Sequence, residues 1–266
     1  MDLATVIGLL VGWGAVFLCL MIEGGNVGEL INVAAAVVVF GGTAGATIIS
    51  VSMDQLMAVP SVMRKALFRH KNDQVELIRL MVEFARKARR DGILALEADA
   101  ANIENKYLKK GMQLIIDGTP SELVKEVLET EIVAMQERHK SGETVFATAG
   151  GFAPTLGIIG TVMGLINMLA RLNEPGKMGH AIAAAFIATL YGVSVANLLF
   201  LPIGSKLKAN TTEEVIAYEM ILEGVLAIQA GLTPRMIEMK MVAFLPPKLR
   251  DKVSSDSDSR EMSRAA

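Results

Sequence analysis

A chain of 266 residues that is 52% hydrophobic and only 20% charged, with a mean hydropathy of +0.43, is too apolar for an ordinary soluble domain and points to a membrane protein. Its 26 Lys and Arg balance 28 Asp and Glu, so the basic field of a nucleic-acid binder is absent and nucleic acid is excluded as a partner. One cysteine, Cys19, and three histidines supply neither an internal disulfide nor a structural zinc cluster, and no metal site is expected.

The first predicted element is an apolar run over 3–22. It begins beside the acidic Asp2 instead of the basic start of a secretory signal and is followed at once by a second run over 31–53, so it reads as a retained membrane helix. Further runs cover 147–170 and 181–203, and none of the four contains Asp, Glu, Lys or Arg. Each is long enough for a hydrocarbon core of ~30 Å at ~1.5 Å per residue. The loop from Glu23 to Leu30 has no Lys or Arg, the segment between the second and third runs has fifteen, the connection after the third has two (Arg171 and Lys177), and the stretch after the fourth has nine. Close to the spans, where the positive-inside rule is strongest, Arg64, Lys65, Arg138, Lys140, Lys206 and Lys208 agree. Both termini and the long middle segment are therefore expected in the cytoplasm, with two short hairpins outside.

The expected division is 1–53 (first two spans), 54–146 (cytoplasmic helical domain), 147–203 (last two spans), 204–253 (cytoplasmic C-terminal helices) and 254–266 (a polar, disordered tail). Within 54–146, apolar residues at helical spacing (Val75, Ile78, Val82, Ala85; then Leu123, Val127, Leu128, Ile132, Met135) predict three or four amphipathic helices. Breaks are expected at Pro60, Asn72-Asp73, Asp91-Gly92 and Asp117-Gly118-Thr119-Pro120, with the last of these starting a helix that runs on into the third span. A separate helix is expected over 211–230, capped by Thr211 or Thr212 ahead of two acidic residues.

The spans carry small residues at close-packing intervals: Gly8 and Gly12, Gly41 and Gly45, Gly160 and Gly164. In the third span Pro154 precedes Thr161 by seven residues, about two turns, which sets both on one face. Proline frees a carbonyl one turn earlier, and in lipid that carbonyl needs a partner or a hydrated cavity. Two readings stay open, a hydroxyl offered as an ion ligand or a local kink with the hydroxyl bonded to its own helix. The fourth span adds Thr189, Ser194, Asn197 and Pro202, and no span offers the carboxylate an ion path generally requires. In ARKARRDGILALEADA the cations Arg86, Lys87, Arg89 and Arg90 end one helix at Gly92 and Glu97 opens the next. This is either a solvated helix end or a docking surface for a cytoplasmic partner.

With its 2+2 spans around a cytoplasmic domain, and the stretches RRDGILALE, AGGFAPTLGIIGTVMGLINML, HAIAAAFIATLYGVSVANLLFLPIGSKL and KANTTEEVIAYEMILEGVLAIQAG, almost the whole chain resembles the MotA/PomA family of flagellar motor stator subunits. The resemblance implies an all-α integral membrane protein that forms a homopentameric ring. The ring would surround a MotB-type dimer that supplies the ion-binding aspartate and the peptidoglycan anchor. Ion flow in the inner membrane would then become torque on the rotor protein FliG, which serves bacterial motility and chemotaxis. It assigns rotor interaction to Arg89, Arg90 and Glu97, and the gate of the ion pathway to Pro154 and Pro202. At Thr161 a threonine is typical of sodium-driven members and an alanine of proton-driven ones, whereas Ala188-Thr189 departs from the paired threonines of sodium-driven members. A transient Na+ near Thr161 is thus favoured over H+ as the transported ion, with Thr189 beside it and no resident cofactor. The alternatives are an energiser subunit of the ExbB/TolQ type, usually with three spans, or a non-conducting membrane scaffold. An enzyme is the weakest, since no nucleophile, base and oxyanion donors gather.

Overall fold

Exclusion of charge from four long runs leaves helices as the only way to satisfy backbone polar groups in lipid, and the computed structural model is helical throughout its described residues, 3–67, 74–170, 173, 175–247 and 249–250. The break expected at Asn72-Asp73, the connecting cation Arg171 and the tail 254–266 lie outside the described residues, as do the side chains of Arg64, Lys65 and Lys177. The helices are α1 (Leu3–Ile22), α2 (Val33–Ala36), α3 (Gly42–Ser50), α4 (Met53–Leu67), α5 (Gln74–Asp91), α6 (Glu97–Ala101), α7 (Lys106–Ile116), α8 (Ser121–Leu169), α9 (Pro175–Val195), α10 (Leu201–Gln229) and α11 (Pro234–Val242). A π-helical turn, Val37–Gly41, joins α2 to α3 as one span, and another, Ala196–Phe200, joins α9 to α10. Among the described residues four helices, Leu3–Ile22, Val33–Ser50, Ser121–Leu169 and Ala181–Gln229, are long and apolar enough to cross a membrane.

Two boundaries and one core-facing position differ from expectation. Pro60 lies inside α4 and does not break it, because one missing N–H leaves the flanking bonds of an amphipathic helix intact. No helix starts at Thr211 or Thr212: α10 runs through both without interruption from Leu201, since the polar stretch before them contains no breaker strong enough to stop it. In α8 the inward stripe is Val124, Leu128, Ile132 and Met135, while Leu123 is 48% exposed. The strict four-residue step from Leu128 selects Val124 and turns Leu123 outward. The expected run-on from the segment near 120 into the third span is present as the single 49-residue helix α8.

The chain forms two units. One comprises Met1–Arg69 with Arg138–Asn210, and the other His70–Glu137 with Thr211–Ala266. The second has an aliphatic core in which Ile78, Met81 and Phe84 of α5, Leu108 and Met112 of α7, Val124 and Leu128 of α8, Met220 and Val225 of α10, and Ile237 and Met241 of α11 are buried together. Fully burying one such side chain contributes about 1.5–3 kcal/mol. Asn105 caps α7 through bonds from the N–H groups of Tyr107 and Leu108. In the first unit two smaller clusters form, Phe146, Ile203 and Leu207 with Val59 and Val62 against them, and Ala35, Val39 and Ala188 with Ile187 and Tyr191. The Tyr191 hydroxyl donates to the Leu30 carbonyl and accepts from the Asn32 N–H at 3.2 Å, which ties the α1–α2 hairpin to α9.

Candidate functional site

Two groups of sequence-predicted residues are brought into defined geometry. In the first unit, α8 and α9 approach until only glycine fits between them. A Cβ on Gly157 would lie 2.9 Å from the Ala188 carbonyl oxygen and 3.2 Å from the Thr189 Cα. A Cβ on Gly160 would meet the Ala188 Cβ at 2.7 Å, and one on Gly164 the Ala185 Cβ at 2.7 Å. This approach brings the Thr161 and Thr189 hydroxyls into a direct hydrogen bond. The Thr161 Oγ1 also lies 3.1 Å from the carbonyl oxygen of Gly157 in its own helix and 3.0 Å from that of Ala185 in α9. Four oxygens from two helices therefore converge with only two hydroxyl protons among them. Such an oxygen-rich set suits a hard cation better than an apolar ligand. Both threonines are half-buried. Of the two readings left open for Thr161, the bond from its hydroxyl to its own helix is present, and the same hydroxyl also crosses to α9.

Pro154 sits inside α8 and withdraws the donor that the Gly150 carbonyl would otherwise meet. Gly150 in turn packs on Leu201, where an added Cβ would lie 2.6 Å from Cδ2. The turn before Pro154 and the turn holding Pro202 thus face each other, and Pro202 itself is exposed just after the π turn Ala196–Phe200. Asn197 is exposed and donates to the Val193 carbonyl at 2.9 Å, so it does not join Thr189. Gly192, whose added Cβ would meet the Ala153 carbonyl and come within 3.0 Å of the Gly157 Cα, was not singled out in the sequence. Its signal there is only a glycine between Tyr191 and Val193.

In the second unit, α5 ends with Arg89 and Arg90 in its last turn, where cations meet the negative end of the helix dipole. Gly92 at φ +86° stops the helix in a conformation that disfavours any side chain. A 3₁₀ turn, Ile93–Leu96, leads to α6, whose first turn carries Glu97 and Asp99. Lys87 bridges to Asp99 at 2.7 Å and fastens the end of α5 to α6. Arg90 grips the adjacent Asp91 with both ends of its fork, at 2.9 and 2.8 Å, and this bond, reinforced by charge, holds the Asp91 carboxyl below the ordinary carboxylate range. Arg89 and Glu97 are exposed, and no ion pair forms at either among the described residues. Between them Leu96 is fully buried while Leu94 is 73% exposed, the most exposed large apolar side chain among the described residues of its unit. Leu94 was missed from sequence because an apolar run of four gives no sign of which member points out.

The chain matches two family descriptions, Motility protein A N-terminal over residues 6–92 and MotA/TolQ/ExbB proton channel family over residues 99–220. It is 35% identical to Motility protein A of Bacillus subtilis, over 98% of this chain and 97% of that one. It is 36% identical to Chemotaxis protein PomA of Vibrio alginolyticus, over 92% and 96%. Among solved structures it is similar to C. jejuni MotAB, with a TM-score of 0.89, 33% identity and coverage of 93% and 97%. It is also similar to the flagellar MotAB stator complex from Bacillus subtilis, with a TM-score of 0.87, 36% identity and coverage of 94% and 98%.

Proposed function

Since the chain belongs to the MotA/TolQ/ExbB proton channel family, as a multi-pass flagellar stator subunit of the MotA/PomA type and not an enzyme, we propose that it conducts sodium together with a MotB-type partner and turns that flow into torque on FliG. In this reading the chain forms a homopentameric ring in the bacterial inner membrane with both termini in the cytoplasm. The four spans hold no carboxylate, so the partner's span supplies the aspartate that carries the ion. The convergence of the Thr161 and Thr189 hydroxyls with the Gly157 and Ala185 carbonyls is the observation that carries the sodium assignment. These oxygens replace part of a cation's hydration shell, whereas a proton needs only the carboxylate and water.

Ala188, where sodium-driven members tend to have a further threonine, does not weaken the cluster. Its side chain is turned into the seam with Ala35 and Val39 and against Gly160, while the Thr161 hydroxyl bonds to Thr189 and the Ala185 carbonyl. A hydroxyl at position 188 would add an oxygen to that seam and remove none from the four at Thr161.

Pro154 and Pro202 gate the ion path from the level of the Gly150–Leu201 contact. Arg89 and Glu97 meet the rotor with charges of opposite sign that no ion pair among the described residues compensates, Arg90 adds a charge partly answered by Asp91, and Leu94 supplies an apolar contact between them. Exposed charges of this kind set orientation and rate of encounter more than affinity. The deciding experiment is motor speed with external sodium varied at fixed pH. Speed should rise with sodium and saturate; a speed that ignores sodium and follows pH overturns the assignment.

A further inference from the structure

We propose that Thr43 and Thr47 line a hydrated pocket within the spans, and that the conducted cation passes it on the cytoplasmic side of the Thr161 cluster; the second half rests on the conducting reading above. Ala35, Val39, Thr43 and Thr47 recur at every fourth position and share one helix face. All are buried, at 4%, 0%, 3% and 5% exposure. Ala35 and Val39 do what a packed face requires and close on Ala188. The next two turns of the same face bring in hydroxyls, and neither Oγ1 has a hydrogen-bond partner. Three other helical threonines, Thr130, Thr144 and Thr161, return the hydroxyl to the carbonyl four residues back. Thr43 and Thr47 do not, and Thr43 lies two residues past the end of the π turn Val37–Gly41, an irregularity common at functional sites.

Helix register shows what else lies at this level. Val38 packs on Gly160, and Gly42 on Leu156, so the second span runs antiparallel to α8. One and five residues beyond Gly42, Thr43 and Thr47 come level with positions 155 and 151 of α8, beside Pro154 and Gly150. The Gly150 carbonyl there has lost its helical donor to the proline. Two unpartnered hydroxyls one turn apart thus run alongside the stretch of α8 whose Gly150 carbonyl lacks its helical donor, in an otherwise apolar seam. Buried oxygens in such a setting are satisfied by water, and oxygens plus water are what a hard cation leaving Thr161 needs next.

The test uses the full chain with its MotB-type partner in inverted membrane vesicles, with Cys19→Ser as background. Silver ion, a thiol-reactive cation close to sodium in size, is applied to Thr43→Cys, Thr47→Cys and, as a dry control on the same face, Val39→Cys. Thiols at 43 and 47 should react at least about tenfold faster than the control, as access to water and ions dictates; equal, slow reaction at all three overturns the pocket. The near-isosteric pair Thr43→Val with Thr47→Val should lower sodium flux at least about threefold at unchanged complex yield, because the oxygens are gone while the packing remains. Unchanged flux overturns the cation's passage. If the complex conducts while the thiols at 43 and 47 stay unreactive, this proposal fails and the function stands. If those thiols react but the wild-type complex passes no ion, the conducting reading fails and takes the passage with it.

Discussion

At Thr161 the polar atoms answer one another inside the molecule: hydroxyl meets hydroxyl and two carbonyls face them, at a distance fixed by glycines that leave no space for a methyl group. At Arg89 and Glu97 no side chain among the described residues answers the charge, and only the backbone that carries them is held, by Gly92, by the buried Leu96 and by the Lys87–Asp99 bridge. The first arrangement acts over a few ångströms and depends on exact spacing. The second acts through solvent over about a Debye length, ~8–10 Å. Substitutions at the two places should therefore differ in size, in salt dependence and in their tolerance of conservative replacement.

The largest effect is expected at Gly157, which touches no ion itself. In Gly157→Ala the new Cβ falls 2.9 Å from the Ala188 oxygen, so α9 must move and the Thr161–Thr189 bond with it. Overpacking of this kind costs about 1–3 kcal/mol, enough to lower sodium flux through the reconstituted complex by roughly fivefold or more. Wild-type flux in this variant would show that glycine spacing does not govern the site.

Removing one oxygen should be felt next. Thr161→Ala leaves three of the four oxygens in place and deletes the bond to Thr189, and a lost hydrogen-bonding group of this kind is worth about 0.5–1.5 kcal/mol. The sodium concentration for half-maximal motor speed should rise roughly three- to tenfold, since 1.4 kcal/mol is tenfold. Thr161→Ser keeps the hydroxyl and should stay near wild type. Equal defects in both variants would point to packing of the methyl group instead of the oxygen.

Charge reversal at the exposed turn should do less per residue. Arg89→Glu or Glu97→Lys is expected to lower swimming speed about two- to fivefold, the range of a solvent-screened pair, with complex levels in the membrane unchanged. The same reversals should leave sodium flux at Thr161 untouched, which separates the two regions most sharply. Unaltered swimming in both variants would remove the turn from force transmission.

The two regions were also unequally legible in the sequence. Spans could be read because lipid forbids charge along whole runs, a property of each helix by itself. Pro154 and Thr161 share a helix, so their spacing was enough to relate them. Thr161 and Thr189 lie on different helices, and their register is set by Gly157 and Gly192, whose close approach no single helix reveals. The same limit hid the exposed Leu94, which depends on where Gly92 turns the chain. Pro60 and Thr211 misled in the opposite direction. Both are ordinary boundary signals, and in the folded chain each lies within a helix that continues past it.

The smallest effect concerns Arg90, and it tests whether an internally answered charge behaves differently from an open one. Its fork is closed on Asp91, and Arg90 holds that carboxyl below its ordinary range. The bond is therefore complete above the ordinary carboxylate range and opens only as pH falls through the lowered value, so it persists at neutral pH. Arg90→Ala should consequently change swimming speed by less than about twofold, in the lower part of the range for exposed pairs. Asp91→Asn releases the guanidinium, and in that background Arg90→Ala should cost more than it does in the wild type. A double-mutant cycle reads this difference directly. If the two substitutions simply add, Asp91 does not restrain Arg90, and the contrast between answered and open charge would have to rest on Arg89 and Glu97 alone.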